Sequence, residues 1–215
     1  MKIKIDGIEA NVLAEDQYLQ INDISGSDLG RIWPQIEANY AAYDRWLVYH
    51  NAADIPIDLL SEIGATLEDD FIEMRLYADS FNCPKTLNAT RITEENFATF
   101  AAYHDKQSPD MYWTSERIAR DLSRWGIFAL LQDGQIADYI LLSMWHPDEA
   151  EIFCVTEGSS CEELITFAAK YAFENGKKYV LYMADDNSIS HKAALSVRFA
   201  ATGFSKSYKI KRSDT

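Results

Sequence analysis

An α/β fold, with strands and helices alternating along most of the chain and a smaller α/β segment at its start, is predicted by three observations. The stretch from Ala150 to Phe204 runs strand, glycine-bearing break, helix, strand, polar turn, helix. Short apolar bursts alternate with polar residues from Lys2 to Asp23. Helix-spaced apolar residues, Leu29, Ile32, Trp33, Ile36, Tyr40 and Tyr43, follow directly on those bursts.

In chain order, the first twenty or so residues read as two or three short strands broken at Asp6-Gly7 and Glu15-Asp16. Ser25 to Asp28 supplies a helix start. That helix is expected to reach about Tyr43, with Pro34 in its first turns, where a missing N–H costs little. Trp46 to His50 has strand length. Asp54-Ile55-Pro56 opens a short helix that Gly64 stops, and Glu68 to Tyr77 alternates as a strand. Ser80 to Pro84 reads as a boundary, dividing the chain into residues 1–82 and 83–215. Beyond it come a strand from Leu87 to Ile92, a helix capped by Thr93, and a loop to Asp110. A second helix is expected to end at Gly126. Strands at 127–131 and 136–145 flank an Asp133-Gly134 hairpin turn. The run Ile152 to Val155 is the next strand, 161–175 a helix closed by Gly176, and Tyr179 to Met183 a further strand. The last helix is expected to end at Gly203-Phe204.

The first third also echoes the last third. With Ile32 laid on Ile165, no gap is needed to His50 on Met183, and Trp46-Leu47-Val48-Tyr49 falls on Tyr179-Val180-Leu181-Tyr182.

Composition narrows the function classes. The chain has 215 residues, 47% of them apolar, enough to bury a sizeable core. Its 20 basic and 34 acidic side chains leave a net charge of −14. A nucleic acid or an anionic membrane surface is thereby disfavoured as a partner, since either needs a basic face. Three cysteines, Cys83, Cys154 and Cys161, have no disulfide spacing, and the four histidines are scattered without metal-ligand spacing. No metal is expected, and a reducing cytoplasm is the default compartment. Cys154 reads as a core residue; Cys161, near a helix start, reads as mildly reactive.

From Lys85 onward the order resembles the complete fold of the GNAT superfamily of N-acyltransferases. The segments TRITEENFATFAAYHD and WGIFALLQDGQIADYILL are similar to its first strand and helix and to its hairpin. Asn187 and Gly203-Phe204 are similar to its late signature. The resemblance implies a GNAT-like mixed central sheet preceded by a partial GNAT repeat. It implies transfer of an acyl group, acetyl in the first instance, from acyl-CoA to a small-molecule or protein amine by direct attack. Glu151 is then the candidate base. Cys154, Val155, Gly158, Ser159, Ser160 and Asn187 are the candidate cofactor-binding residues. His104, Tyr112 and Trp113 are the candidate acceptor-site residues. The turn Thr156–Glu163 has one glycine, no basic residue and three acids, and the usual leaving-group tyrosine position is Phe199. A catalytically decayed binding module is the competing class. Edge strands at both termini suggest a homodimer.

Overall fold

The computed structural model describes residues 1–82, 88–109, 111–156, 158 and 160–212. Ser159, Glu157 and the Cys83–Leu87 segment, each of which carried a sequence expectation, lie outside them. The elements are β1 (Lys2–Ile5), β2 (Ile8–Leu13), β3 (Tyr18–Asn22), α1 (Gly26–Tyr40), β4 (Asp44–His50), α2 (Ile57–Glu62) and β5 (Thr66–Tyr77). Then follow β6 (Thr90–Arg91), α3 (Phe97–Gln107), α4 (Ser115–Arg120), β7 (Trp125–Gln132), β8 (Gln135–Ser143) and β9 (Glu149–Val155). The chain ends with α5 (Cys161–Glu174), β10 (Tyr179–Asp185), α6 (Ile189–Ser196) and β11 (Ala200–Ile210).

Two compact units result: Met1–Ile72 with Gly203–Thr215, and Glu73–Thr202. These limits do not coincide with the expected boundary at residue 82, because the chain passes from one unit to the other inside β5 and again inside β11.

In the first unit the strands lie in the order β1-β2-β3-β4-β11, followed by the leading part of β5. β3 and β4 run parallel, and the other strand pairs with a resolved register run antiparallel. Asp6 and Gly7 both have positive φ, 46° and 86°, so the first hairpin turns with the twist its strands need. Ser25 caps α1, its Oγ accepting from the Asp28 N–H at 3.1 Å. Pro34 stands in the middle of α1 rather than in its first turns, and it denies the Gly30 carbonyl its usual helical donor. Leu29, Ile32 and Ile36 on α1 pack into a core with Leu19, Ile21, Leu47 and Leu60. A cavity of about 720 Å³ lies within this unit, with Trp33, Arg45, Thr66 and Lys209 among its lining residues.

In the second unit the order is the trailing part of β5, then β10-β9-β8-β7-β6. β9 and β10 are parallel, whereas β6/β7, β7/β8 and β8/β9 are antiparallel. The expected hairpin at Asp133-Gly134 is present, both residues again having positive φ. One sheet face, bearing Trp125, Ile127, Tyr139 and Leu141, packs under Phe100 of α3 and Ile118 of α4. The other face carries Phe128 against Phe167 and Tyr171 of α5 at 4.9 and 5.1 Å between ring centroids. Gly126 does not end a helix. It belongs to β7, and a Cβ there would meet the Tyr171 ring at 3.2 Å. The helix expected there stops at Arg120 instead, followed by a 3-10 turn at Leu122–Arg124. Likewise α3 begins at Phe97, because Asn96 folds back to accept from the Thr93 N–H at 2.6 Å.

Helix ends explain the largest difference from expectation. α2, α5 and α6 all close with the paired 6→1 and 5→2 hydrogen bonds of a Schellman turn. The left-handed residue is Gly64 in α2 and Gly176 in α5, but Arg198, φ 77°, in α6. α6 therefore stops at Arg198-Phe199, and Gly203-Phe204 lies inside β11. A Cβ at Gly203 would sit 2.1 Å from Asn51 Oδ1, which accepts the Phe204 N–H at 2.8 Å. An arginine in the left-handed region costs about 1 kcal/mol relative to glycine. Arg198→Gly is accordingly expected to stabilise the protein by about 1 kcal/mol, read as a higher midpoint in urea.

Candidate active site

The site is built where two parallel strands part. The β9/β10 register runs from Glu149↔Tyr179 to Ile152↔Tyr182 and stops there. Both strands continue, β9 to Val155 and β10 to Asp185. On its other side β9 pairs Ile152 with Leu142 and Cys154 with Leu141, so Phe153 is an extra residue. A bulge of this kind bends the strand. It turns β9 away from β10 and leaves the backbone of 153–155 on the side facing the gap.

Glu151 stands just before the parting. It is level with Ser143 on β8, which is level with Trp125 on β7, so the three side chains share one face. Glu151 is half-buried. Burial, reinforced by the nearby Glu149 carboxylate, pushes its pKa up to about 7. Glu149 itself is engaged by the Tyr179 hydroxyl, and the Arg75 guanidinium sits 5.1 Å from the centroid of the Tyr179 ring.

An aromatic group lies beside Glu151. Trp113, from the loop between α3 and α4, makes edge contacts with Trp125 at 5.0 Å and Phe153 at 5.8 Å. Trp145 and Tyr112 extend it at 6.2 and 5.1 Å from Trp113. Tyr112, Trp145 and Phe153 are 47%, 43% and 43% exposed. Asp105 pins this loop: its carboxylate accepts from the Ser115 N–H at 3.0 Å and from the Ser115 hydroxyl. The Ser115 hydroxyl, above all, holds the Asp105 carboxyl below the usual carboxylate range.

His104 does not reach this surface. It is fully buried, stacked on Phe100. Its Nε2–H donates to the Trp113 carbonyl at 2.7 Å, so in the neutral ring Nδ1 accepts from the Tyr139 hydroxyl at 2.8 Å. The Cys154 thiol donates to the same hydroxyl at 3.6 Å. The expectation of an acceptor-pocket histidine does not fit this placement: His104 is a hydrogen-bonded core residue that holds the loop carrying Trp113. Burial raises the Cys154 thiol pKa.

The turn after β9 is acidic at close quarters. A Cβ at Gly158 would lie 3.3 Å from the Asp138 Oδ1. Ser160 precedes α5 in a helical conformation and makes no side-chain cap. Glu162 and Glu163 occupy the first turn, and Glu163 accepts from the Asn88 N–H at 2.7 Å. Cys161 is buried with its thiol donated to the Thr156 carbonyl at 2.9 Å, which removes the expected reactivity. Asn187 is exposed, with φ 61°, in the turn before α6. Its N–H donates to His191 Nδ1 at 3.0 Å.

The position five residues before the aromatic residue that closes α6 is Ala194, not Phe199, since the closing residue is Phe199 itself. Neither can give up a proton. Tyr182 is buried at the last paired position of β10, and Tyr208 lies in the core of the first unit against Tyr49. Sequence reasoning missed Trp125, Trp145 and Phe153. The alternation of Glu149, Glu151 and Phe153 was the available signal for Phe153.

No protein-family model matches the chain, and no curated protein matches it by sequence. Solved structures do match. A GCN5-related N-acetyltransferase from Kribbella flavida superposes with a TM-score of 0.72 at 12% identity, over 97% of this chain and 88% of that one. A tandem GNAT protein from the clavulanic acid biosynthesis pathway gives 0.58 at 12% identity, over 97% and 79%. Saccharomyces cerevisiae N-myristoyltransferase with bound myristoyl-CoA gives 0.55 at 12% identity, over 97% and 61%. No helix among the described residues is long and apolar enough to cross a membrane.

Proposed function

We propose, on the premise that the chain has the GNAT fold, that it transfers an acyl group from acyl-CoA to an amine. The parting of β9 from β10 at Ile152, with the Phe153 bulge, is the observation that carries this reading. A pantetheine arm laid in the gap would pair with the backbone around Cys154 and Val155. The acyl carbonyl would then lie beside Glu151. A carboxylate with a pKa near 7 is well matched to remove a proton from an ammonium at neutral pH. The freed amine nitrogen attacks the thioester carbonyl, and collapse of the tetrahedral adduct breaks the C–S bond and releases the CoA thiolate. With Ala194 and Phe199 at the two positions where a tyrosine would serve, the thiolate takes its proton from water.

Gly158 and Ser160 would face the pyrophosphate, with the Ser160 hydroxyl, free of any cap bond, as a donor. Asn187 lies in the turn after β10. Acetyl-CoA is the first co-substrate to test. The acids at this turn, Asp138 against Gly158 and Glu162 in the first turn of α5, favour the second reading, a binding module that has lost acyl transfer. We also read β2-β3-α1-β4-α2-β5 as a partial copy of β8-β9-α5-β10-α6-β11, since the elements come in the same order and each has one parallel strand pair around its longer helix.

Calorimetric titration with acetyl-CoA is expected to show a dissociation constant in the micromolar range or tighter, with a matching thermal shift. No heat and no shift at millimolar acetyl-CoA would reject acyl transfer.

A further inference from the structure

We infer that the acceptor is a primary amine carried on an aromatic or bulky apolar body and lacking an α-carboxylate, seated by Trp113 and Phe153 beside Glu151. The inference rests on the acyl-transfer reading and narrows it.

Three features point to this class. The first is a small residue between large ones: Ser143, itself buried, stands between Trp125 and Glu151 in the lateral row, so no bulky side chain separates the aromatic group from Glu151 on that face. The second is the aromatic group itself. Trp113, Trp125 and Phe153 meet one another at 5.0 to 5.8 Å, and Phe153 keeps 43% of its surface in solvent although it is apolar. Exposed apolar surface gathered at one place marks a binding site more often than scattered residues do. The buried Trp125 indole N–H has no acceptor among the described residues. The third is charge. Glu149 and Glu151 stand two residues apart on one face of β9, so an ammonium is attracted and a ligand carboxylate repelled. The outer rings already hold cations, Arg117 4.0 Å from Tyr112 and Arg124 4.6 Å from Trp145. The apolar contacts next to Glu151 therefore come from Phe153 and Trp113.

The test compares 2-phenylethylamine, phenylalanine, ethylamine and spermidine in two assays. One is calorimetric binding without acyl-CoA, with tryptophan fluorescence as a second readout. The other is CoA release with acetyl-CoA. 2-Phenylethylamine is expected to bind about tenfold or more tighter than ethylamine or phenylalanine. Phe153→Ser and Trp145→Ser change exposed side chains and are expected to keep the fold. Phe153→Ser should weaken 2-phenylethylamine about fivefold or more and leave ethylamine unchanged. Trp145→Ser, one ring further out, should have a smaller effect. Equal binding of ethylamine or spermidine, or no effect of Phe153→Ser, overturns the inference while CoA release keeps acyl transfer standing. Selective binding of 2-phenylethylamine with no CoA release supports the aromatic-amine site but rejects acyl transfer, and with it the ligand's role as acceptor. Binding of none of the four overturns the inference.

Discussion

Glu151→Gln is expected to lower turnover at pH 7 by about two orders of magnitude, the usual contribution of a positioned base, and at the same time to stabilise the protein. Both effects have one cause. In the folded chain the Glu151 pKa is raised from 4.5 to about 7 by burial, with Glu149 adding to it. Between those values the folded protein keeps a proton that the unfolded chain has released. Stability therefore falls as pH rises through that window, and above pH 7 the fold carries the whole cost of a buried carboxylate. At about 1.4 kcal/mol per pKa unit, the cost is about 3 kcal/mol. Glutamine cannot ionise and escapes it. Urea unfolding should show the variant more stable than the parent by about 1–3 kcal/mol at pH 8, with the gain shrinking towards pH 4.5. The rise of kcat/KM with an apparent pKa near 7 should vanish in the variant. A stability gain that does not depend on pH, or an unchanged turnover, would remove Glu151 from the role.

His104→Leu is expected to cost about 2–3 kcal/mol, since it strands the buried Trp113 carbonyl and leaves the Tyr139 hydroxyl only its longer contacts to Ser108 and Cys154. Tyr139→Phe should cost less, because it removes a hydroxyl and leaves Nδ1 without its donor, while the other two groups it meets, the Cys154 thiol and the Ser108 hydroxyl, are the more weakly held at 3.6 and 3.3 Å. The double variant should be less damaging than the sum, because the two residues share one hydrogen bond at 2.8 Å. Chemical denaturation of the four proteins checks this. If His104 instead contacted the acceptor, His104→Leu would leave the unfolding midpoint unchanged and shift only KM.

His104 also illustrates what the sequence could and could not convey. The order of strands and helices was legible throughout the second unit, because apolar periodicity and the Asp133-Gly134 and Gly176 signals are local. Glu151 was legible as a strand-start acid, but its raised pKa needs the sheet around it. His104 read as an acceptor-site residue because a helix-end histidine beside aromatics looks the same in sequence whether it points inward or outward. Burial at its position is decided by Phe100 and Tyr139, the latter 35 residues away. The end of α6 was misplaced for a related reason. Gly203 looked like a helix stop, yet its missing Cβ makes room for Asn51 on a distant strand end. The true stop is an arginine, which no local rule selects.

The passage of β11 into the first unit bears on how the protein is made. β4 takes its antiparallel partner from Ser205–Ile210, and the chain beyond it adds Arg45 to the Lys211 carbonyl and the Arg212 N–H to Asp44. A ribosome that has released α1, β4 and α2 has therefore released most of this unit without the strand that lies against β4. The edge of β4 stays open, with its backbone groups unpaired, through synthesis of the whole second unit. Contacts that span so much sequence form slowly, and an unpaired strand edge is an invitation to association. The nascent N-terminal segment thus keeps an open strand edge until Ile210 emerges.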